Sequence, residues 1–77
     1  MSVEEVDKAI LGAVLERWQK TAMIIARAEA TLRSSNAEPS LDEIADRIAV
    51  LAAQGRLENQ GDLSLWRHSE VRLPQTL

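Results

Sequence analysis

The chain reads as an α+β fold, mostly helical, with three helices followed by a C-terminal β-hairpin. Three observations predict this. Apolar residues recur at helical spacing through the first two-thirds of the sequence. Two Ser-x-x-Glu patterns, Ser2 with Glu5 and Ser40 with Glu43, stand directly ahead of such runs, where a serine side chain meets an early helix N–H. From Gly55 onward the pattern changes to two short alternating segments around Gly61-Asp62, the mark of a hairpin.

The first helix is predicted over residues 3–14, with Val3, Val6, Ile10 and Val14 on one face. Gly12 weakens it by about 1 kcal/mol relative to alanine and marks a candidate site of close packing. A second helix, over 18–33, carries Trp18, Ala22, Ile25, Ala28 or Glu29, and Leu32 in phase with the first. One unbroken helix over 3–33 would be about 46 Å long at 1.5 Å per residue, too long for so small a domain to cover. A break is therefore expected near Leu15 to Arg17; the unbroken alternative buries the long helix by dimerising. Ala22-Met23-Ile24-Ile25-Ala26 is apolar all round, wider than one packed face requires. Either this helix is central and buried or part of it meets another chain, and Met23 and Ile24 are the candidate dimer face. Trp18 is expected as a core or rim anchor.

Residues 34–39 form a polar loop ending in Pro39, which disfavours helix before it. The third helix, over 41–54, places Leu41, Ile44, Ala45, Ile48, Leu51 and Ala52 on one face. Its outward positions are Asp42, Glu43, Asp46, Arg47, Val50 and Gln54, with Glu43 and Arg47 spaced for an i,i+4 pair. Gly55 stands at the expected left-handed C-cap. The hairpin is predicted over 56–73, with Leu57 inward, a turn at Gly61-Asp62 and a loop running on through Ser64. Alternation turns Val71 and Leu73 to the core and leaves Trp66, His68, Glu70 and Arg72 mostly outward. Arg67 shares the parity of Leu65 and Val71, so partial burial against Asp62 is expected. Pro74 ends the strand, and Gln75-Thr76-Leu77 is a frayed tail.

Seventy-seven residues make one domain, 1–77, near the lower end of sizes that fold without a staple. Total stability should be about 4 to 12 kcal/mol. The absence of cysteine removes disulfides and thiolate metal sites and suits a reducing cytoplasm. No run approaches the roughly 20 apolar residues of a membrane span, and the acidic N-terminus lacks a signal-peptide pattern. The net charge of −3 is unevenly placed. Charges balance before residue 34 and after residue 55; the excess lies where Glu38, Asp42, Glu43 and Asp46 face only Arg47. A surface that reads phosphates has the opposite sign.

Three helices running straight into a hairpin is the order of a winged-helix domain, an order compatible with many functions. The segment G-R-L-E-N-Q-G-D-L-S-L-W-R-H-S-E-V-R-L-P, residues 55–74, resembles the closing signature of an uncharacterised bacterial domain family of unknown function, often found C-terminal to a larger uncharacterised domain. The W-Q-K segment at Trp18 to Lys20 is similar to the earlier part of that family. The resemblance implies a domain that is freestanding or works with a separate partner, and it supplies no activity, substrate or catalytic residue.

Ser64, Ser69, His68, Asp62 and Glu70 are the residue types of a hydrolase triad, but strand alternation points Ser69 and His68 in opposite directions. With one histidine, no glycine-rich phosphate loop and no carboxylate cluster at ligand spacing, no catalytic residue, cofactor or metal is expected. The expected function is a non-catalytic protein-interaction or accessory module in a bacterial cytoplasm. It presents Trp66, Arg67, His68, Glu70 and Arg72 to an unknown protein partner, with a homodimer through Met23 and Ile24 as a candidate assembly. The alternative is a DNA-binding regulator using the hairpin arginines, disfavoured because the acidic third helix would oppose docking in a groove.

Overall fold

The computed structural model describes residues 1–75, so Thr76 and Leu77 of the expected tail lie outside it. In chain order the elements are α1 (Val3–Ala13), β1 (Gln19–Lys20), α2 (Thr21–Ser34), α3 (Leu41–Ala53), β2 (Glu58–Gln60) and β3 (Glu70–Arg72). The three strands form one antiparallel sheet in the order β1-β3-β2. No described helix is long and apolar enough to cross a membrane.

Both serine caps form: Ser2 Oγ accepts from the Glu5 N–H at 3.2 Å, and Ser40 Oγ from the Glu43 N–H at 3.0 Å. α1 stops at Ala13 because Val14 turns extended, so the break falls where the impossible length of a single helix placed it. α2 and α3 end alike. Asn36, at φ 62°, and Gly55, at φ 77°, each take the left-handed residue of a C-terminal cap. The following amides, of Ala37 and Arg56, reach back to the carbonyls of Leu32 at 3.0 Å and Leu51 at 2.9 Å.

The core is assembled from Val6, Ala9, Ile10 and Val14, then Ile24, Ile25, Ala28 and Leu32, then Ile44, Ile48 and Leu51, and is closed by Leu57 and Val71 of the sheet region. α2 packs against both α1 and α3 and abuts β1. α1 and α3 touch as well, so the three helices pack pairwise and the wide apolar stretch is covered only in part, with Ala26 as well as Met23 left exposed. Ile24 is fully buried and cannot be a dimer contact, while Met23 on the other side is 43% exposed. Leu41 and Val3, the first residues of their helices, project past the core and stay exposed.

The start of α2 and the number of strands differ from expectation for one reason. α2 starts at Thr21 rather than at residue 18, because Gln19 and Lys20 are drawn into the sheet opposite Val71 and Glu70. The sheet is thus three-stranded rather than a two-stranded hairpin, and β3 is its centre. A two-residue strand is too short to leave a periodicity, and it exists only because β3 offers a free edge.

Candidate interaction surface

The outward face of the sheet holds two rows of side chains. Across the register, Glu58 stands opposite Arg72 and Gln60 opposite Glu70, with Lys20 on the other side of Glu70. Arg72 Nε donates to Glu58 Oε1 at 2.6 Å, and its guanidinium lies 4.3 Å from the centre of the Trp18 ring. Gln60 Nε2 donates to Glu70 Oε1, also at 2.6 Å. Arg72 and Glu70 therefore already have partners within the sheet, and Trp18 is the rim anchor that Arg72 covers. The polar strand residues fasten neighbouring strands together.

Residues 61–69, between β2 and β3, are not strand at all. Gly61 opens the segment at φ 80°, and a Cβ there would sit 2.7 Å from the His68 carbonyl oxygen, so the two ends of the loop touch at a position only glycine fits. Two tight turns follow, closed by Leu65 N–H to the Asp62 carbonyl and His68 N–H to the Leu65 carbonyl, both at 2.9 Å. Asp62 Oδ1 accepts from the Ser64 hydroxyl at 2.7 Å and the Ser64 N–H at 2.9 Å. These bonds, the hydroxyl first, hold the Asp62 carboxyl below its ordinary value.

The loop then folds back onto α2. Thr21 N–H donates to the Ser69 carbonyl at 3.0 Å and Ala22 N–H to the Trp66 carbonyl at 3.1 Å. These would otherwise be orphan donors of a helix start that has no side-chain cap. Ser69 Oγ lies 2.8 Å from Thr21 Oγ1 and 2.9 Å from the Leu65 carbonyl oxygen. The carbonyl can only accept and a hydroxyl has one proton, so Ser69 donates to Leu65 and Thr21 donates to Ser69.

This geometry divides the five residues predicted to form a contact surface. Trp66 is half-buried and packs on the core with Leu63, rather than facing outward. Glu70 and Arg72 are held by Gln60 and Glu58. Only Arg67 and His68 stand exposed, beside Leu65 at 52% exposure. Arg67 does not approach Asp62, whose oxygen is taken by Ser64; its carbonyl accepts from Lys20 Nζ at 3.3 Å. The serines of the would-be triad spend their hydroxyls on Asp62, Leu65 and Thr21 rather than on His68.

On the helical side, Arg47 turns away from Glu43 and forms a two-pronged pair with Asp7 of α1, Nε and Nη2 each at 2.9 Å. The hydrogen bonds to Asp7 raise the pKa of the guanidinium. With its one arginine engaged, the α3 surface presents Asp42, Glu43 and Asp46. Around the molecule from it, α1 and α2 border an open groove of about 900 Å³. Its floor is Ala9, Gly12, Ala13 and Ala30, and its rim carries Glu5, Lys8 and Arg27. Gly12 has nothing within 4 Å of where its Cβ would stand, so it opens this groove rather than allowing close packing. The groove escaped sequence reasoning because it joins positions from two helices; the missing cap ahead of Thr21 was the one local sign that something else covers that helix end.

The fold and this surface define a small α+β domain with three helices and a three-stranded antiparallel sheet. No family model matches the chain, and no curated protein or solved structure is significantly similar to it.

Proposed function

We propose that this chain is a non-catalytic protein-interaction or accessory module of winged-helix-like architecture, working in a bacterial cytoplasm and belonging to the uncharacterised family that residues 55–74 resemble. The order helix, strand, helix, helix, strand, strand, with β1 beside β3, supports the winged-helix reading, and the loop over 61–69 takes the place of the wing. The observation that carries the interaction reading is the groove between α1 and α2, an apolar floor left open to solvent. Of the polar candidates for chemistry, Asp62, Ser64, Ser69 and Glu70 are committed to internal hydrogen bonds and His68 stands exposed without a nucleophile beside it, which supports a binding role over a catalytic one.

A second reading, a DNA-binding regulator, is favoured by one observation: Lys20, Arg67 and His68 lie together at the exposed loop. Against it, α3 offers carboxylates where a groove-reading helix needs donors. Affinity capture from the protein's own host, comparing the wild-type chain with Ala30→Glu and Arg67→Glu, tests both. A stoichiometric protein partner lost only with Ala30→Glu supports the interaction module. Nucleic acid recovered with wild type, released by salt and lost only with Arg67→Glu, would overturn it in favour of the regulator.

A further inference from the structure

We infer that the groove between α1 and α2 is closed by the same groove of a second copy of this chain, forming a two-fold symmetric dimer. The inference rests on the interaction reading above and names its partner. A two-fold interface brings one patch against itself, so the patch must be complementary to itself in shape and in charge. This one meets both conditions. Its floor of Ala9, Gly12, Ala13 and Ala30 is a hollow, and beside it stand two of the largest exposed apolar side chains, Leu15 at 41% and Met23 at 43% exposure. Leu15 borders the groove, and Met23 lies one turn before Arg27 on the same face of α2. One patch thus holds both the cavity and side chains of a size to fill it.

The charges agree. Glu5 is negative, Lys8 and Arg27 are positive, and none of the three has an ion-pair partner among the described residues. A nucleic acid or an anionic membrane surface would be met by cations alone. A rim of both signs suits a surface of mixed sign, which a second copy supplies by construction. The dimer also accounts for Met23 as a contact while leaving Ile24 in the core.

Reversing the charges tests this without needing to know which residues meet. Glu5→Lys makes the rim wholly positive, and the double change Lys8→Glu with Arg27→Glu makes it wholly negative. All three positions are exposed, so at micromolar concentration, where wild type is monomeric, circular dichroism should show the wild-type fold, with Glu5→Lys melting slightly lower because it replaces an acid in the first turn of α1. By sedimentation from micromolar to millimolar concentration, wild type should pass from the 8.5 kDa monomer to twice that mass. Each variant alone should stay monomeric, and an equimolar mixture should regain the doubled mass as a heterodimer. Recovery on mixing is an outcome that a merely destabilised fold cannot produce. A wild type that stays monomeric throughout, variants that dimerise as wild type does, or a mixture that stays monomeric overturns the second-copy inference. A protein partner captured through Ala30 would still leave the interaction module standing.

Discussion

Alanine placed at each of the three glycines should give three different results, because the backbone and the space differ at each. At Gly61 the left-handed φ of 80° costs a Cβ-bearing residue about 1 to 2 kcal/mol. The new Cβ also meets the His68 carbonyl oxygen at 2.7 Å and Ser69 Cα at 3.2 Å. Both are backbone atoms of a segment tied to Thr21, so relief requires moving the loop, a further cost of about 1 to 2 kcal/mol. Gly61→Ala should therefore lose about 2 to 4 kcal/mol, a large share of the roughly 4 to 12 expected for a chain of this length. At about 4 to 8 °C per kcal/mol, Tm falls by roughly 10 to 30 °C. Gly55→Ala meets the same backbone strain at φ 77° in open space and should lose only about 1 to 2 kcal/mol. Gly12→Ala, helical and unobstructed, should gain about 0.5 to 1 kcal/mol. Urea unfolding followed by circular dichroism measures all three, with the slope m expected to stay constant. If Gly61→Ala lost no more than Gly55→Ala, the close approach of Gly61 to His68 would be refuted.

Ser69→Ala should cost about 1 to 3 kcal/mol, since it leaves the Thr21 hydroxyl, 1% exposed, without its acceptor. Adding Thr21→Val should cost less than the sum of the two changes, and strict additivity in the double-mutant cycle would sink the proposed proton arrangement. Arg72→Met removes both the Glu58 pair and the Trp18 contact. Because Arg72 and Glu58 side chains are 28% and 39% exposed, the loss should be only about 1 kcal/mol, accompanied by a change in tryptophan emission that Glu58→Gln does not reproduce. The Asp62 carboxyl titrates below its ordinary value when folded, so its stabilising effect is present above the ordinary carboxylate pKa and is lost as pH falls through the folded one. Ser64→Ala should move its carbon-13 NMR titration upward, and an unmoved midpoint would contradict the hydroxyl as the main cause.

The helices were legible because each is written locally. Ser2 and Ser40 announce two starts, Gly55 one end, and the spacing of Ile44, Ile48 and Leu51 the buried face. Ile24 was misplaced by the same logic. An all-apolar stretch reports that burial exceeds one face, yet says nothing of which residue faces α1 or α3 and which faces water. Trp66 faces the core rather than outward because strand alternation does not hold over 65–69, where a turn resets the direction of each side chain. Arg47 was assigned to Glu43 by helical spacing alone; Asp7, forty positions earlier in the chain, offers both oxygens at 2.9 Å, and that geometry wins over a single exposed i,i+4 contact.

The sequence by itself determined where α1 and α3 begin and where α3 ends, the alternation that puts Val71 inward, and the surplus of acid on α3, since capping, periodicity and charge are properties of neighbours along the chain. Only the tertiary structure decided that Gln19 and Lys20 are strand and that the loop over 61–69 covers the bare start of α2. It also decided that Arg72 belongs to Glu58 and Trp18, and that a groove opens between α1 and α2. Each of these joins groups distant in sequence, and a donor or an apolar face takes the partner that folding brings within reach, which no local pattern records.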